Sequence, residues 1–203
     1  MTAEIYTIGH SDLTIESFIG NLQRNGITAL TDVRSNPYSR MQPQFNRETL
    51  KRDLQQNHIA YLFLGKELGA RSEQPECYIN GKIQFEILAR QPLFLQGLDR
   101  VIGGLEKYQI ALMCSEKDPL NCHRTILVAR QLHNRGISVN HILYDGSIES
   151  HSALERRLLK TLKMEVLDLF RSEDEVVFDA YLKWGDRIAY VAESTDNEGW
   201  ETK

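Results

Sequence analysis

The sequence predicts an α/β fold: a mainly parallel five-stranded sheet with helices on both faces, Rossmann-like or flavodoxin-like, followed by a helical C-terminal tail. Three observations carry this. Short segments rich in β-branched and aliphatic residues alternate with segments of helical period, the pattern of βαβ units. The 203 residues suit one domain, or one domain with an appendage, and are enough to bury a sizeable core. After Gly146 the chain changes style to charged helical segments. Residues 1–150 are therefore read as the α/β domain, and 151–203 as a helical extension packed on it.

The expected strands are Ile5–Ile8, Ala29–Val33, Ala60–Leu64, Ile110–Cys114 and Val139–Leu143. Thr14 caps the first helix, Leu13 and Phe18 staple it, and Ile15, Phe18, Ile19 and Leu22 form its apolar stripe before Gly26. The second repeats the device: Asn46 caps, Phe45 staples to Leu50, and the helix runs to about Gln56. Between the third and fourth strands a longer helical region breaks at Pro92, which is tolerated at a first helical position but not inside. Its buried face is Phe94, Leu98, Val101, Ile102 and Leu105. The helix after the fourth strand is expected to start near Asp118 and Pro119 and to stop at Gly136. In the tail, Val177, Ala180, Tyr181, Trp184, Ile188 and Val191 keep a helix-like spacing.

Composition narrows the partners. With 24 basic and 28 acidic residues the net charge is -4, and the acidic excess falls within 151–203. No global positive field is available to hold long duplex nucleic acid, so any anion site must be local. No apolar run is long enough to span a membrane, and no signal-like start is present, which places the expected location in the cytoplasm. Cys77, Cys114 and Cys122 are too few and odd in number for a secreted disulfide framework, so free thiols are expected.

In open parallel sheets ligands bind beyond the carboxyl ends of strands, where strand order reverses. The polar residues collect there. Gly9-His10-Ser11 follows the first strand, Asp32-Val33-Arg34 ends the second, and Met113-Cys114-Ser115-Glu116 ends the fourth, with Cys122-His123-Arg124 close behind. A strand order of 3-2-1-4-5 makes the first and fourth strands neighbours, which brings His10 and Ser11 toward Cys114 and Glu116. Cys122, placed in the first turns of a helix beside Arg124, is in a setting that favours thiolate. The loop Arg34 to Arg40 adds two guanidiniums, two hydroxyls and the Tyr38 ring, a set suited to a phosphate and a stacked base. Arg71 and Lys66, in the long Gly65–Lys82 connection, are placed to close over the same opening.

Two specific chemistries compete for these residues. Cys114 and Cys122 have seven residues between them, unlike zinc ribbons or fingers, and adjacent Cys122 and His123 project differently from a helix. A Zn or Fe site would use Cys114, Cys122 and His10; the primary reading assigns no metal ligand. A phosphatase-type loop would need an Arg closer to Cys114 than Arg124, so that resemblance is architectural.

Together, Thr7 to Ser11, Asp32-Val33-Arg34 with Pro37, Ser39 and Arg40, Leu68-Gly69, Met113 to Glu116, Cys122-His123-Arg124 and His141-Ile142 resemble the Domain of Unknown Function 488 family. The resemblance extends over about residues 5–150, and Asp168–Ala192 is similar to the tail of some members. It implies an α/β fold and the same polar positions, and supplies no activity.

The function expected is an enzyme acting on a small phosphate-bearing or nucleotide-like substrate. Cys114 or Cys122 is its nucleophile or redox thiol, and Glu116, His10 or His123 moves protons. Arg34, Arg40 and Arg124 hold the anion, with Ser11, Asp32 and Ser39 completing the binding set. The alternatives are a non-catalytic module for nucleotides or single-stranded nucleic-acid ends, and a scaffold whose exposed tail recruits a partner. The sequence names no cofactor, indicates no membrane partner and leaves the oligomeric state open.

Overall fold

The structure, a computed structural model, describes residues 3–165 and 171–192. Its strands are β1 (Glu4–Gly9), β2 (Ala29–Asp32), β3 (Ala60–Phe63), β4 (Tyr78–Ile79), β5 (Lys82–Ile83), β6 (Ile110–Cys114), β7 (Ser138–Ile142) and β8 (Ile148–Ser150). The α-helices are α1 (Ile15–Arg24), α2 (Arg47–Gln56), α3 (Gly65–Leu68), α4 (Phe85–Leu88), α5 (Pro92–Gly104), α6 (Arg130–His133), α7 (His151–Leu162) and α8 (Glu173–Ile188). The five expected strands are β1, β2, β3, β6 and β7, and all five pair in parallel.

Two features of the sheet differ from expectation. A sixth strand, β8, pairs antiparallel with β7 at the edge, through an Asp145-Gly146 hairpin turn in which Gly146 adopts φ 85°. Its three residues, Ile148-Glu149-Ser150, are too few to show an alternating pattern. Secondly, the order is β3-β2-β6-β1-β7-β8, so β6 lies between β1 and β2 rather than outside β1. The first and fourth expected strands are neighbours, as read, but the fourth is also flanked by the second.

The two faces are filled by different helices. Phe18, Ile19 and Leu22 of α1, Leu50 and Leu54 of α2, and Phe45 pack on Ile8, Leu30, Ala111 and Met113. On the other face Phe94, Leu98 and Val101 of α5, Leu154 and Leu158 of α7, and Ala180, Tyr181 and Trp184 of α8 pack on Ile5, Leu112 and Val139. Each such aliphatic or aromatic side chain contributes roughly 1.5–3 kcal/mol on burial. Because the helix after β1 and the helical turns after β6 cover opposite faces, the crevice opens at the carboxyl ends of these adjacent strands.

The helix caps show how local chemistry competes. The Thr14 hydroxyl accepts from Ser17 N as expected. Asn46 stands at the N-cap of α2 as expected, but its side chain makes no capping bond; its Oδ1 accepts from the Ser39 backbone N–H at 2.7 Å, which ties the preceding loop to the helix start.

The tail helix α8 is docked, not exposed: Tyr181 and Trp184 are 2% and 6% accessible, which removes the motive for a recruiting scaffold. Trp184 Nε1 donates to the Leu120 carbonyl at 2.9 Å. Behind it runs a buried chain of hydrogen bonds whose direction is set by Tyr181 Oη donating to Glu155. Thr7 Oγ1 thus donates to His141 Nδ1, His141 Nε2 to His151 Nδ1, and His151 Nε2 to Tyr181 Oη, over 2.8, 3.0 and 3.0 Å. The expected His141 motif is explained here as a packing device. Beyond α8, Tyr190 and Ala192 pair with the β4–β5 hairpin, at 2.9 Å to Ile83 N and 2.8 Å to the Gly81 carbonyl. Asp168, part of the expected tail, lies outside the described residues.

Candidate active site

The site begins at the end of β6, where Cys114 is the last residue of a fully buried strand. The backbone N–H groups of His10 and Ser11 donate to the carbonyls of Cys114 and Ser115 at 3.0 and 2.9 Å, so the loops leaving β1 and β6 start as one ribbon. Asp118 then caps a single 3₁₀ turn, Pro119–Asn121, by accepting from Leu120 N at 2.9 Å. Arg157 holds that Asp118 from α7 at 2.9 Å and holds Glu149 at 2.7 Å.

The expected helix from Asp118 is interrupted here. Cys122 is extended, with φ −135° and ψ 137°, and its carbonyl accepts from Thr125 and Ile126 N–H at 3.0 and 3.2 Å. It stands at the mouth of a π-helical turn, Arg124–Ala129, that continues into α6. Helix interruptions of this kind are frequent at functional sites. Because Cys122 is extended, its thiol and the His123 imidazole converge instead of fanning out around a helix. The Cys114 Sγ, Cys122 Sγ and His123 Nδ1 atoms all lie within 4.8 Å of one another. Nδ1 is 3.7 Å from the first sulfur and 4.0 Å from the second.

The imidazole is oriented from behind: His123 Nε2 donates to the Val33 carbonyl at 2.9 Å. In the neutral ring this leaves the lone pair on Nδ1, facing the thiols. The two cysteines titrate as a pair. The hydrogen bond to Cys122, then burial, push the Cys114 thiol well up. Burial also raises Cys122, but the hydrogen bond from Cys114, the Arg124 charge and His123 together pull it well below the usual thiol range. One proton shared by two sulfurs is the arrangement this favours.

Arg124 serves the loop and not the cavity. It has no accessible surface, and its Nη1 donates to the Glu116 carbonyl at 2.7 Å. Its Nε has no hydrogen-bond partner, and no carboxylate lies within ion-pair distance, among the described residues. The expectation that it grips a ligand anion is corrected: the side chain points under the loop, as a buried cation beside the sulfur pair. Gly9 makes this possible, since a Cβ there would meet the Glu116 carbonyl oxygen at 1.8 Å and Arg124 Nη1 at 3.1 Å.

His10, Asp32 and Arg34 form a second buried group on the other face of the sheet. Asp32 Oδ1 accepts from Arg34 N and Nε at 3.1 and 2.9 Å, and Oδ2 from Arg34 Nη2 at 2.7 Å and Tyr61 Oη at 2.8 Å. Arg34 Nη2 also donates to the Phe45 carbonyl at 2.8 Å, and Nη1 to His10 Nε2 at 3.2 Å. His10 Nδ1 donates to the Ser11 carbonyl at 3.0 Å, and the ring stacks on Phe45 at 4.3 Å. Burial first, then the Arg34 charge, push His10 down to about 4. Both ring nitrogens are engaged, so His10 is a neutral support for Arg34 and stands apart from the sulfurs. Arg34 keeps one Nη1 proton without a partner among the described residues, and it borders the cavity.

That cavity, about 460 Å³, has Cys114, Cys122 and His123 on its floor. Glu116 stands at its rim, where partial burial and then the Cys122 charge raise its carboxyl. Ser39 lines it too, with Oγ accepting from Met41 and Gln42 N–H at 3.2 Å. Ser11, with φ 44°, and exposed Arg40 do not line it. The cation over the opening is Arg71, from the Gly65–Lys82 connection, whose guanidinium sits 4.5 Å above the Tyr190 ring. Phe85, Ile188 and Tyr190 add an apolar wall that no motif announced. Tyr190 arrives only because the tail end pairs with β5.

No curated protein and no solved structure matches the chain. The family model described as "Domain of unknown function DUF488" matches residues 14–131, more than half of the chain. The convergence at the end of β6 falls largely within that stretch, and the chain belongs to the DUF488 family.

Proposed function

We propose that this chain is an enzyme acting on a small phosphate-bearing, nucleotide-sized substrate, with Cys114, Cys122 and His123 as its reacting centre. One observation carries the reading: two sulfurs and an imidazole nitrogen within 4.8 Å of one another form the floor of a cavity that holds guanidinium groups at its edge. A volume of about 460 Å³ suits a nucleotide-sized molecule. Arg71 and the free N–H of Arg34 supply the anion contacts, and Tyr190 and Phe85 supply a surface for a ring. Glu116, its carboxyl raised by partial burial, is the proton carrier within reach of the opening. A module that only binds ligands has no use for two thiols and an oriented imidazole beneath its ligand.

The test is a panel of nucleoside monophosphates and simple phosphate monoesters, followed by calorimetry for binding and by chromatography for product. Wild type is expected to bind at least one with an affinity that falls with added salt, and Arg71→Ala to weaken it about tenfold. Cys114→Ser is expected to bind but to form no product. Binding with no product in wild type would leave the non-catalytic module as the better reading, and no binding of any phosphate compound would end both.

A further inference from the structure

We infer that Cys114, Cys122 and His123 are the protein ligands of one divalent transition-metal ion, zinc being the best fit, with a fourth position open to the cavity. This rests on the reading of the same cavity as a reaction centre and names the cofactor class it would take. It replaces His10, whose two nitrogens are both engaged elsewhere, by His123 as the imidazole ligand.

Geometry supports it first. With Zn–S near 2.3 Å and Zn–N near 2.0–2.1 Å, tetrahedral angles place ligand atoms about 3.6–3.8 Å apart. The imidazole nitrogen lies 3.7 and 4.0 Å from the two sulfurs, close to that spacing, and the sulfurs, within 4.8 Å of one another, would draw together by up to about 1 Å around an ion. The supporting shell is the second argument. Metal-bound histidines commonly give their other N–H to a carbonyl or carboxylate, which fixes ring and lone pair; His123 gives Nε2–H to Val33 at 2.9 Å. Thirdly, two sulfurs and one imidazole select zinc, iron(II) or similar ions over magnesium and calcium, which require oxygen. Three protein ligands facing a cavity are the arrangement of catalytic rather than structural sites, which close the fourth position with protein.

Charge and rigidity agree. Two thiolates and a divalent ion sum to zero, so the metal-loaded centre would bury no net charge of its own above Arg124. The ligands also sit on parts that resist rearrangement: a central strand end, a residue locked between a proline turn and a helix, and a ring pinned by a backbone carbonyl.

The experiment uses the full chain purified under reducing conditions without chelator. Elemental analysis is expected to return close to one zinc or iron per chain, and the stripped protein to take one equivalent of cobalt(II). Cobalt is expected to give a sulfur-to-metal charge-transfer band and the intense visible bands of tetrahedral coordination, displaced by zinc. Cys114→Ser, Cys122→Ser and His123→Gln are each expected to weaken cobalt binding at least about tenfold. Cys77→Ser, a buried cysteine outside the site, is expected to leave it unchanged. No such spectrum in reduced wild type, its survival in the Cys114→Ser, Cys122→Ser double variant, or a Cys114–Cys122 disulfide with no metal would overturn the proposal. If the serine variants fail to fold, X-ray absorption on wild type decides: two sulfur neighbours and one imidazole support it, oxygen-only neighbours overturn it. Absence of metal with phosphate-compound turnover intact would sink the metal and spare the enzyme. A loaded site with no binding of any phosphate compound would do the reverse.

Discussion

The His123 imidazole spans from the Val33 carbonyl, 2.9 Å from Nε2, to the Cys114 sulfur, 3.7 Å from Nδ1, and so links the ends of β2 and β6 across the floor of the cavity. A carbonyl accepts only, so Nε2 must carry the proton in the neutral ring. Long-range proton–nitrogen NMR on metal-free protein is expected to show His123 as the Nε2–H tautomer. Finding the proton on Nδ1 would mean that the ring is turned and that the sulfurs face a donor.

Gly9 is a position beside the site where the fold has no tolerance for a side chain. Gly9→Ala would drive a methyl into the Glu116 carbonyl, 1.8 Å from the ideal Cβ, and into the Arg124 guanidinium. Neither can retreat, because each is the other's hydrogen-bond partner. A loss of about 3 kcal/mol or more is expected in urea denaturation, with faster amide exchange in residues 115–118. A variant as stable as wild type would show that the loop is not packed in this way.

Asp32→Asn tests the buried pair behind the cavity. The carboxylate accepts three hydrogen bonds from Arg34 and one from Tyr61, and it neutralises a guanidinium that is only 4% exposed. Removing one partner of such a pair strands the other charge, at about 3–5 kcal/mol. Tyr61→Phe deletes a single neutral donor and is expected to lower stability by only about 1 kcal/mol in the same denaturant series. Equal effects from the two variants would contradict the ion-pair account.

Stability is expected to fall in mild acid. His10 and His151 are held at about 4 and about 3, in both cases by burial first, with Arg34 adding to the shift at His10 and His133 at His151. Unfolded histidines take up protons near pH 6.5, so from there down toward about pH 4 the unfolded chain binds protons that the folded chain refuses. Stability is therefore full above about pH 6.5 and is lost as pH falls, by roughly 2–3 kcal/mol for each histidine at about pH 4.5. Denaturation midpoints measured across that range check it, and His10→Gln is expected to remove its share of the slope. A flat profile would show both rings to be solvated.

The sequence by itself determined the elements that depend on short-range chemistry. The Thr14 cap, the apolar stripe of α1, Pro92 at the start of α5 and five of the six sheet strands were all legible, because each is written within a few neighbouring residues. It also located the ends of β1, β2 and β6 as the polar rim, since His10, Arg34 and Cys114 interrupt otherwise apolar strand patterns.

Only the tertiary structure decided which of those residues meet. Inserting β6 between β1 and β2 brought Val33 to His123, a contact between residues 90 apart that no local pattern encodes. The extended backbone at Cys122 reversed the expectation that it and His123 diverge. Arg124, read as a ligand-binding cation, became a loop clamp, while Arg71 and Tyr190 closed the cavity because the tail end pairs with β5. Capping and periodicity are local energies that composition reveals, whereas strand order and side-chain convergence come from packing the whole core, where distant residues compete for the same few ångströms.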